Sequence, residues 1–352
     1  MLLTLALIVG VAQGQTSASI PATLPEQSLS GVTALHTKAE AGDASAQFLL
    51  GKAFEGGLGV SKNEEEAARW FRKAADQGNA AAEDELGVLL WTGTGVRKDK
   101  VQAVQWYQKA AQQGNGSAMF NLAVAYYNAE GGTANVFQAQ VWFYIARDHG
   151  STLAADAVQR FEKAASQEEL IAVWHMVAAT YAAGRAVPKD YALAFKWYQM
   201  CAEKGSTGAA VELARILYDG LSGKPDYNQA LRWCQYAADR QNPLGMYCVG
   251  RLYQEGKTGP KDPAEAIRWF EKAAAFGDTS SCLQLGRMFW NGEGIKADPV
   301  TAYKWTLLGA ELLPSEKRSV ALQDLGNFQL QMTRKQIKEG ANEAEKFKKT
   351  IR

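Results

Sequence analysis

The chain has 352 residues, with 38 Lys and Arg against 37 Asp and Glu and a formal net charge of +1 at pH 7. Such a balance provides no global basic footprint and argues against nucleic acid or an anionic membrane surface as the partner. Only three histidines and four cysteines are present, none in a C-x-x-C spacing, so the chain is poor in groups for zinc or acid–base chemistry.

Residues 1–14, MLLTLALIVGVAQG, form an apolar run too short to span a bilayer, ending in the small-x-small pattern Ala12-Gln13-Gly14. They read as a secretory signal with no cysteine nearby to accept a lipid. The product is therefore expected to be exported, periplasmic or secreted, with no membrane-integral segment once the signal is removed. Residues 15–27 read as a disordered linker and residues 28–41 as an N-terminal capping helix.

From there a period takes over. Gly42, Gly78, Gly114 and Gly150 are each 36 residues apart, and the letters between them return. Leu50-Gly51, Phe54, Gly57-x-Gly59-Val60 and Trp70-Phe71-x-x-Ala74-Ala75 are matched by Leu86-Gly87, Gly93-x-Gly95-Val96 and Trp106-Tyr107-x-x-Ala110-Ala111. Two helical patterns in a period of this length mean stacked units, each burying its apolar face only against its neighbours. In the first helix, Ala46, Leu50, Gly51 and Phe54 share a face, and the small residue admits the neighbouring helix. The G-x-G-V loop supplies turn glycines, not a phosphate cradle, because neither G-x-G-x-x-G nor G-K-S/T is present.

The second helix opens on a cap: Asn63, Asp99, Asp190, Asp226, Asp262 and Asp298 share one repeat position. Asn63 with Glu66 reads as a capping box, and Pro263 and Pro299 occupy the first helical position. Trp70, Trp106, Trp142, Trp197, Trp233, Trp269 and Trp305 recur at one position and read as core. Repeats one to three occupy residues 42–150 and repeats four to seven residues 184–313. Gly150 to Gly205 is 55 residues, so residues 151–183 hold an inserted helix and junction, with Ser166-x-x-Glu169 as a capping box, and the two arrays are expected to meet at a bend there. Residues 314–352 read as C-terminal capping helices with a basic tail.

This pattern, A-x-x-x-L-G-x-x-Y/F-x-x-G-x-G-V-x-x-D/N-x-x-x-A-x-x-W-Y/F-x-x-A-A-x-x-G, resembles the Sel1-like repeat, a relative of the tetratricopeptide repeat, over about Ala39 to Leu313. Copies one, two and six match best; copy three departs at Gly131-Gly132-Thr133. The resemblance implies an all-α fold, a right-handed α-solenoid of about seven antiparallel helix pairs, used as an adaptor or scaffold for other proteins and without catalytic residues.

First-helix positions that the packing pattern leaves free are expected to line a concave groove. Arg215, Arg251 and Arg287 occupy one equivalent position in three successive copies, interleaved with Tyr218, Tyr247 and Trp290. Trp91, Phe120 and Tyr127 give a more apolar stretch in the first array. Arg beside aromatic residues is the composition of a recognition hot spot and suits an acidic or C-terminal peptide. Cys234 and Cys248 lie seven residues either side of Gln241, at the turn of a helical hairpin. They either face each other as a disulfide or are turned apart as buried thiols. The remaining carboxylates are assigned to caps and solvated faces. The expected protein is a monomeric, non-enzymatic, exported interaction scaffold without cofactor or metal. The alternative is a cell-envelope glycan binder, with aromatic rings stacking on sugars; a hydrolase ranks behind both, because no Ser-x-x-Lys motif stands out.

Overall fold

The computed structural model describes residues 29–128 and 135–351. The expected signal, the linker and the Gly131-Gly132-Thr133 loop lie outside the described residues. Among the described residues are eighteen α-helices, one short 3₁₀ turn at Ser315–Lys317, and no strand. In chain order they are α1 (Leu29–Glu40), α2 (Ala44–Gly56), α3 (Glu64–Asp76), α4 (Ala80–Thr92), α5 (Lys100–Gln112), α6 (Gly116–Tyr127), α7 (Val136–Asp148), α8 (Thr152–Ala164) and α9 (Gln167–Ala183). There follow α10 (Tyr191–Glu203), α11 (Thr207–Asp219), α12 (Tyr227–Asp239), α13 (Pro243–Glu255), α14 (Pro263–Ala274), α15 (Thr279–Asn291), α16 (Pro299–Leu312), α17 (Ser319–Gln329) and α18 (Arg334–Lys348).

The period rests on two capped turns per repeat. At the end of the second helices α3, α5, α7, α10 and α14 a glycine takes positive φ, from +78° at Gly277 to +103° at Gly205, in a backbone region that L side chains avoid. The next residue then caps the following first helix. Asp43, Asn79, Asn115, Ser151, Ser206, Asn242 and Asp278 each accept an N–H of that helix's first turn. Gln241 is the exception, a non-glycine at φ +61° in the same turn. Second helices are capped by Asn63, Asp99, Asn135, Asp190, Asp226, Asp262 and Asp298. Replacing such a cap by Ala costs about 1 kcal/mol. The capping box expected at Asn63 is half formed: Asn63 accepts from Glu66, but the Glu66 carboxylate pairs forward with Arg69 at 3.0 Å.

Within a repeat, the small residue after the motif Leu sets how closely the helices approach. A Cβ at Gly51, Gly87 or Gly250 would lie 2.6, 2.5 or 2.8 Å from the ring carbons of Phe71, Tyr107 or Phe270. The second-helix ring thus lies directly over the first-helix backbone. Trp70, Trp106, Trp142, Trp197 and Trp305 are buried, whereas Trp233 and Trp269 are half-buried. Lys73, Lys109 and Lys272, one turn on, place their ammonium groups 3.8, 3.8 and 3.9 Å from the rings of Trp70, Trp106 and Trp269.

The chain divides into two compact units, residues 1–194 and 195–352, and the division falls inside α10. In the first, α1 packs on α2, with Val32 and Leu35 against the Ala46, Leu50 and Trp70 core. The inserted helix α8 and the long helix α9 both pack on α7, so residues 151–183 share the core of the first unit. Ser166 and Glu169 make both bonds of a capping box at the start of α9. In the second unit α17 and α18 both pack on α16, and Phe347 meets Trp305 edge-on at 4.7 Å. Thr333 and Gln336 form the capping box of α18.

Cys234 on α12 and Cys248 on α13 are joined as a disulfide with Cα atoms 5.7 Å apart, while Cys201 and Cys282 are buried free thiols. Burial pushes both free thiols up to about 12, so neither is a ready nucleophile. The bridge closes a short loop between the fifth and sixth repeats, for which chain entropy gives about 3 kcal/mol. A reducing agent should therefore lower the melting temperature of the native chain, and the Cys234→Ala/Cys248→Ala variant should melt at that lowered temperature with or without reductant. An unchanged midpoint on reduction would show that the bridge contributes nothing.

Candidate functional site

On the first-helix face of the second unit, three groups from two helices converge. Tyr218 on α11 donates its phenolic hydrogen to Glu255 on α13, and Arg251 Nε donates to the other carboxylate oxygen at 2.9 Å. The Arg251 guanidinium lies 4.3 Å from the Tyr218 ring centre, and Tyr227 meets that ring edge-on at 5.4 Å. Burial alone would raise Glu255, but the hydrogen bonds from Tyr218 and Arg251 together with the Arg251 charge outweigh it, and the carboxyl sits below its usual range. Burial, reinforced by the bond to Glu255, pushes Tyr218 up to about 12. Tyr247, one helix turn before Arg251, is half-buried and tilted on Phe270 at 5.6 Å.

The arginine column is present but not electrically free. Arg215 pairs with Glu212 at 2.9 Å, Arg251 with Glu255 at 2.9 Å, and Arg287 with Asp324 of α17 at 3.7 Å. Each keeps about half its side chain in solvent, yet each already faces a carboxylate, so the charge offered to an acidic ligand here is much reduced.

Two groove assignments need correction. Trp290 stacks on Phe328 at 3.9 Å with planes 14° apart, because capping helix α17 lies against the last repeat. Phe120 is 9% exposed and packs on Phe143 at 5.7 Å. Its position, two before the motif Leu, leans toward the ring of the paired second helix, as Phe48 does toward Phe71 at 5.8 Å. Trp91 and Tyr127 remain half-exposed, with Trp91 tilted on Tyr107 at 6.3 Å and under the ammonium group of Lys100 at 5.1 Å.

A buried acidic cluster on α4 overturns the assignment of the carboxylates to caps and solvated faces. Glu83, Asp84 and Glu85 are 3%, 7% and 4% exposed. Glu83 accepts from Gln113 at 2.8 Å, Asp84 from Asn121 at 2.9 Å, and Glu85 from Lys52 at 2.8 Å; Lys52 also reaches Glu55 at 2.6 Å. One oxygen of Glu85 is buried without a partner. Burial, with Glu85 adding to it and Asn121 and Lys52 opposing it, pushes Asp84 up to about 7. Burial raises Glu83 and Glu85 as well. A signal was available in the repeat pattern: the position of Asp84 carries Phe48, Phe120, Val211, Tyr247 and Leu283 in five other copies and His175 in the fourth. Among the described residues, no group of three or more His, Cys, Asp or Glu is placed to hold a metal ion.

The helix pairs, their capped turns and the ring-over-glycine contact define an α-solenoid built from tetratricopeptide-like repeats. The family model for the Sel1 repeat matches residues 44–79, 80–115, 116–151, 175–206, 207–242, 243–278 and 279–312, and the chain belongs to that family. Sel1-repeat proteins generally act as protein-interaction scaffolds. Among curated proteins none matches the chain. Similar solved structures include a protective antigen of uropathogenic Escherichia coli with an SLR fold, at 21% identity over 92% of this chain and 88% of that one, TM-score 0.38. Others are a Sel1 repeat protein from Oxalobacter formigenes, at 27% identity over 85% and 80%, TM-score 0.40, and a Sel1 repeat protein from Klebsiella pneumoniae, at 23% over 63% and 98%, TM-score 0.27.

Because Asp84 ionises far less readily in the folded chain than in the unfolded one, the native state holds the extra proton between the two values. Stability then falls as pH rises from about 4 to about 7, and Glu83 and Glu85 act in the same direction. Asp84→Asn should raise the melting temperature at pH 8 by roughly 5 °C and change it little at pH 4. Thermal unfolding at the two pH values checks this, and an equal effect at both would contradict it.

Proposed function

We propose that this chain is a non-catalytic, exported interaction scaffold that holds a partner peptide on the first-helix face of its second unit. The observation that carries the reading is the half-exposed cluster of Tyr218, Arg251 and Glu255 beside Tyr247. Tyr and Arg held in fixed rotamers by each other bind at low entropic cost and are the residue types of interface hot spots. With the three arginines already facing carboxylates, anchoring falls to the tyrosine rings, and charge has the lesser part. The Cys234–Cys248 bridge supports export, since disulfides persist in oxidising compartments. Among the described residues no helix is long and apolar enough to cross a membrane.

The glycan-binding alternative draws its support from another place. An open cleft of about 380 Å³ on α12 is lined by Gln229, Arg232, Trp233 and Tyr236. A half-buried indole beside amide and guanidinium donors suits a stacked sugar ring.

Affinity capture from an envelope extract, with the native chain beside Tyr247→Ala/Arg251→Ala and Trp233→Ala variants, separates the two. The peptide reading expects a protein retained by the native chain and lost, by at least about tenfold, with the first variant alone. Retention of purified peptidoglycan that is lost only with Trp233→Ala would replace that reading with the glycan one.

A further inference from the structure

The positive charge that the arginine column lacks is found elsewhere, in a cleft of about 680 Å³ in the first unit lined by Arg72, Leu90, Val96, Arg97, Lys98, Asp99, Lys100 and Gln102. It lies where the last turns of α3 meet the loop between α4 and α5. Arg72, Arg97 and Lys98 stand around it, with Lys100 engaged over the Trp91 ring at 5.1 Å, and the one carboxylate of the lining is committed: Asp99 caps α5, accepting from the Gln102 N–H at 2.9 Å. Of the three glutamates that open α3, Glu64 pairs with Lys62 at 3.0 Å and Glu66 with Arg69 at 3.0 Å, while Glu65 is exposed. Among the described residues, no carboxylate comes within ion-pair distance of Arg72, Arg97 or Lys98; Arg72 is held by Gln102 Oε1 at 3.4 Å. This contrasts with Lys52, Arg215, Arg251 and Arg287, each of which has an acidic neighbour. Buried Leu90 and half-buried Val96 add an apolar contribution to the lining.

We propose that this cleft is a second contact of the scaffold and receives an acidic peptide segment, one with two or more carboxylates along an extended stretch. The proposal rests on the reading of the chain as an interaction scaffold and adds a ligand chemistry to it. Size and layout choose a peptide over a small anion. The cleft is several times larger than one phosphate, and its cations come from three segments (α3, the loop and the start of α5), so they do not converge on one point. At the two ends of the loop the amides are engaged, Thr94 N–H donating to Leu89 and Asp99 N–H to Leu90. Near-zero net charge over the whole chain disfavours a nucleic acid. Arg72 supplies a planar fork for a carboxylate, and exposed Arg97 and Lys98 supply charge at the rim.

The test is fluorescence anisotropy with a labelled octapeptide of alternating Glu and Gly, at about 50 mM salt so that screening is modest. The native chain should bind it, and binding should weaken at least about tenfold in Arg72→Glu/Lys98→Glu and in the loop variant Arg97→Ala/Lys98→Ala, both with native helicity. The Tyr247→Ala/Arg251→Ala variant should bind the octapeptide as the native chain does, which keeps this site distinct from the face on α11 and α13. Equal binding by the native and cleft variants, full displacement by inorganic phosphate, or tighter binding of an oligonucleotide of equal charge would each overturn the proposal. None of those results touches the capture experiment on the other face.

Discussion

The stack depends on one close contact, made in its barest form in the first, second and sixth repeats, where an aromatic ring of the second helix lies on the bare backbone of its own first helix. Phe71 on Gly51, Tyr107 on Gly87 and Phe270 on Gly250 bring ring carbons to within 2.5–2.8 Å of where a Cβ would stand. A methyl group at any of these glycines would collide with a ring that is itself buried, so neither partner can yield cheaply. Copies that carry Ala123, Ala178 or Ala214 instead of glycine give the same position to the smallest side chain that remains. Once inner faces are closed in this way, the surfaces left for recognition are the outward strips of the helices and the loops.

Charge is distributed over those surfaces in three distinct ways. The second unit pairs Arg215, Arg251 and Arg287 each with a local carboxylate, and in doing so holds Tyr218 and Arg251 in place around Glu255. The first unit buries Glu83, Asp84 and Glu85 against Lys52, Gln113 and Asn121 and leaves one Glu85 oxygen without a partner. That is a costly arrangement, relieved by protonation and not by a full set of hydrogen bonds. The cleft between α3 and α5, by contrast, gives Arg72, Arg97 and Lys98 no carboxylate partner among the described residues. Buried acids lower stability at neutral pH, whereas exposed unpaired cations cost little and attract a ligand, so the two features call for different explanations.

Much of this was legible in the sequence because the repeat multiplies each weak signal. A lone Asp before an apolar run says little, but five Asp and Asn63 at one repeat position specify helix starts, and each makes its cap bond. The same holds for Ser166-x-x-Glu169 and Thr333-x-x-Gln336. What the letters hid were interactions between repeats and with the ends. Trp290 reads as open until α17 is seen stacked on it. Phe120 reads as groove-lining because its position is two residues from the motif Leu, yet its side chain leans back onto Phe143. Glu66 reads as the partner of Asn63, but a competing Arg69 one turn on takes its carboxylate. The acids of α4 and the basic cleft each depend on residues about 30 or more positions apart meeting through the stack, which no local pattern announces.

The half-exposed cluster of Tyr218, Arg251 and Glu255 puts the proposed peptide contact on the first-helix face. Photo-crosslinking in intact cells tests this most directly, with a benzophenone side chain at Gln254 on α13 or at Arg268 on α14, whose side chain is 70% exposed. The account expects a protein adduct from position 254 and none from position 268. An adduct from position 268 alone would contradict it and move recognition to the outer helices.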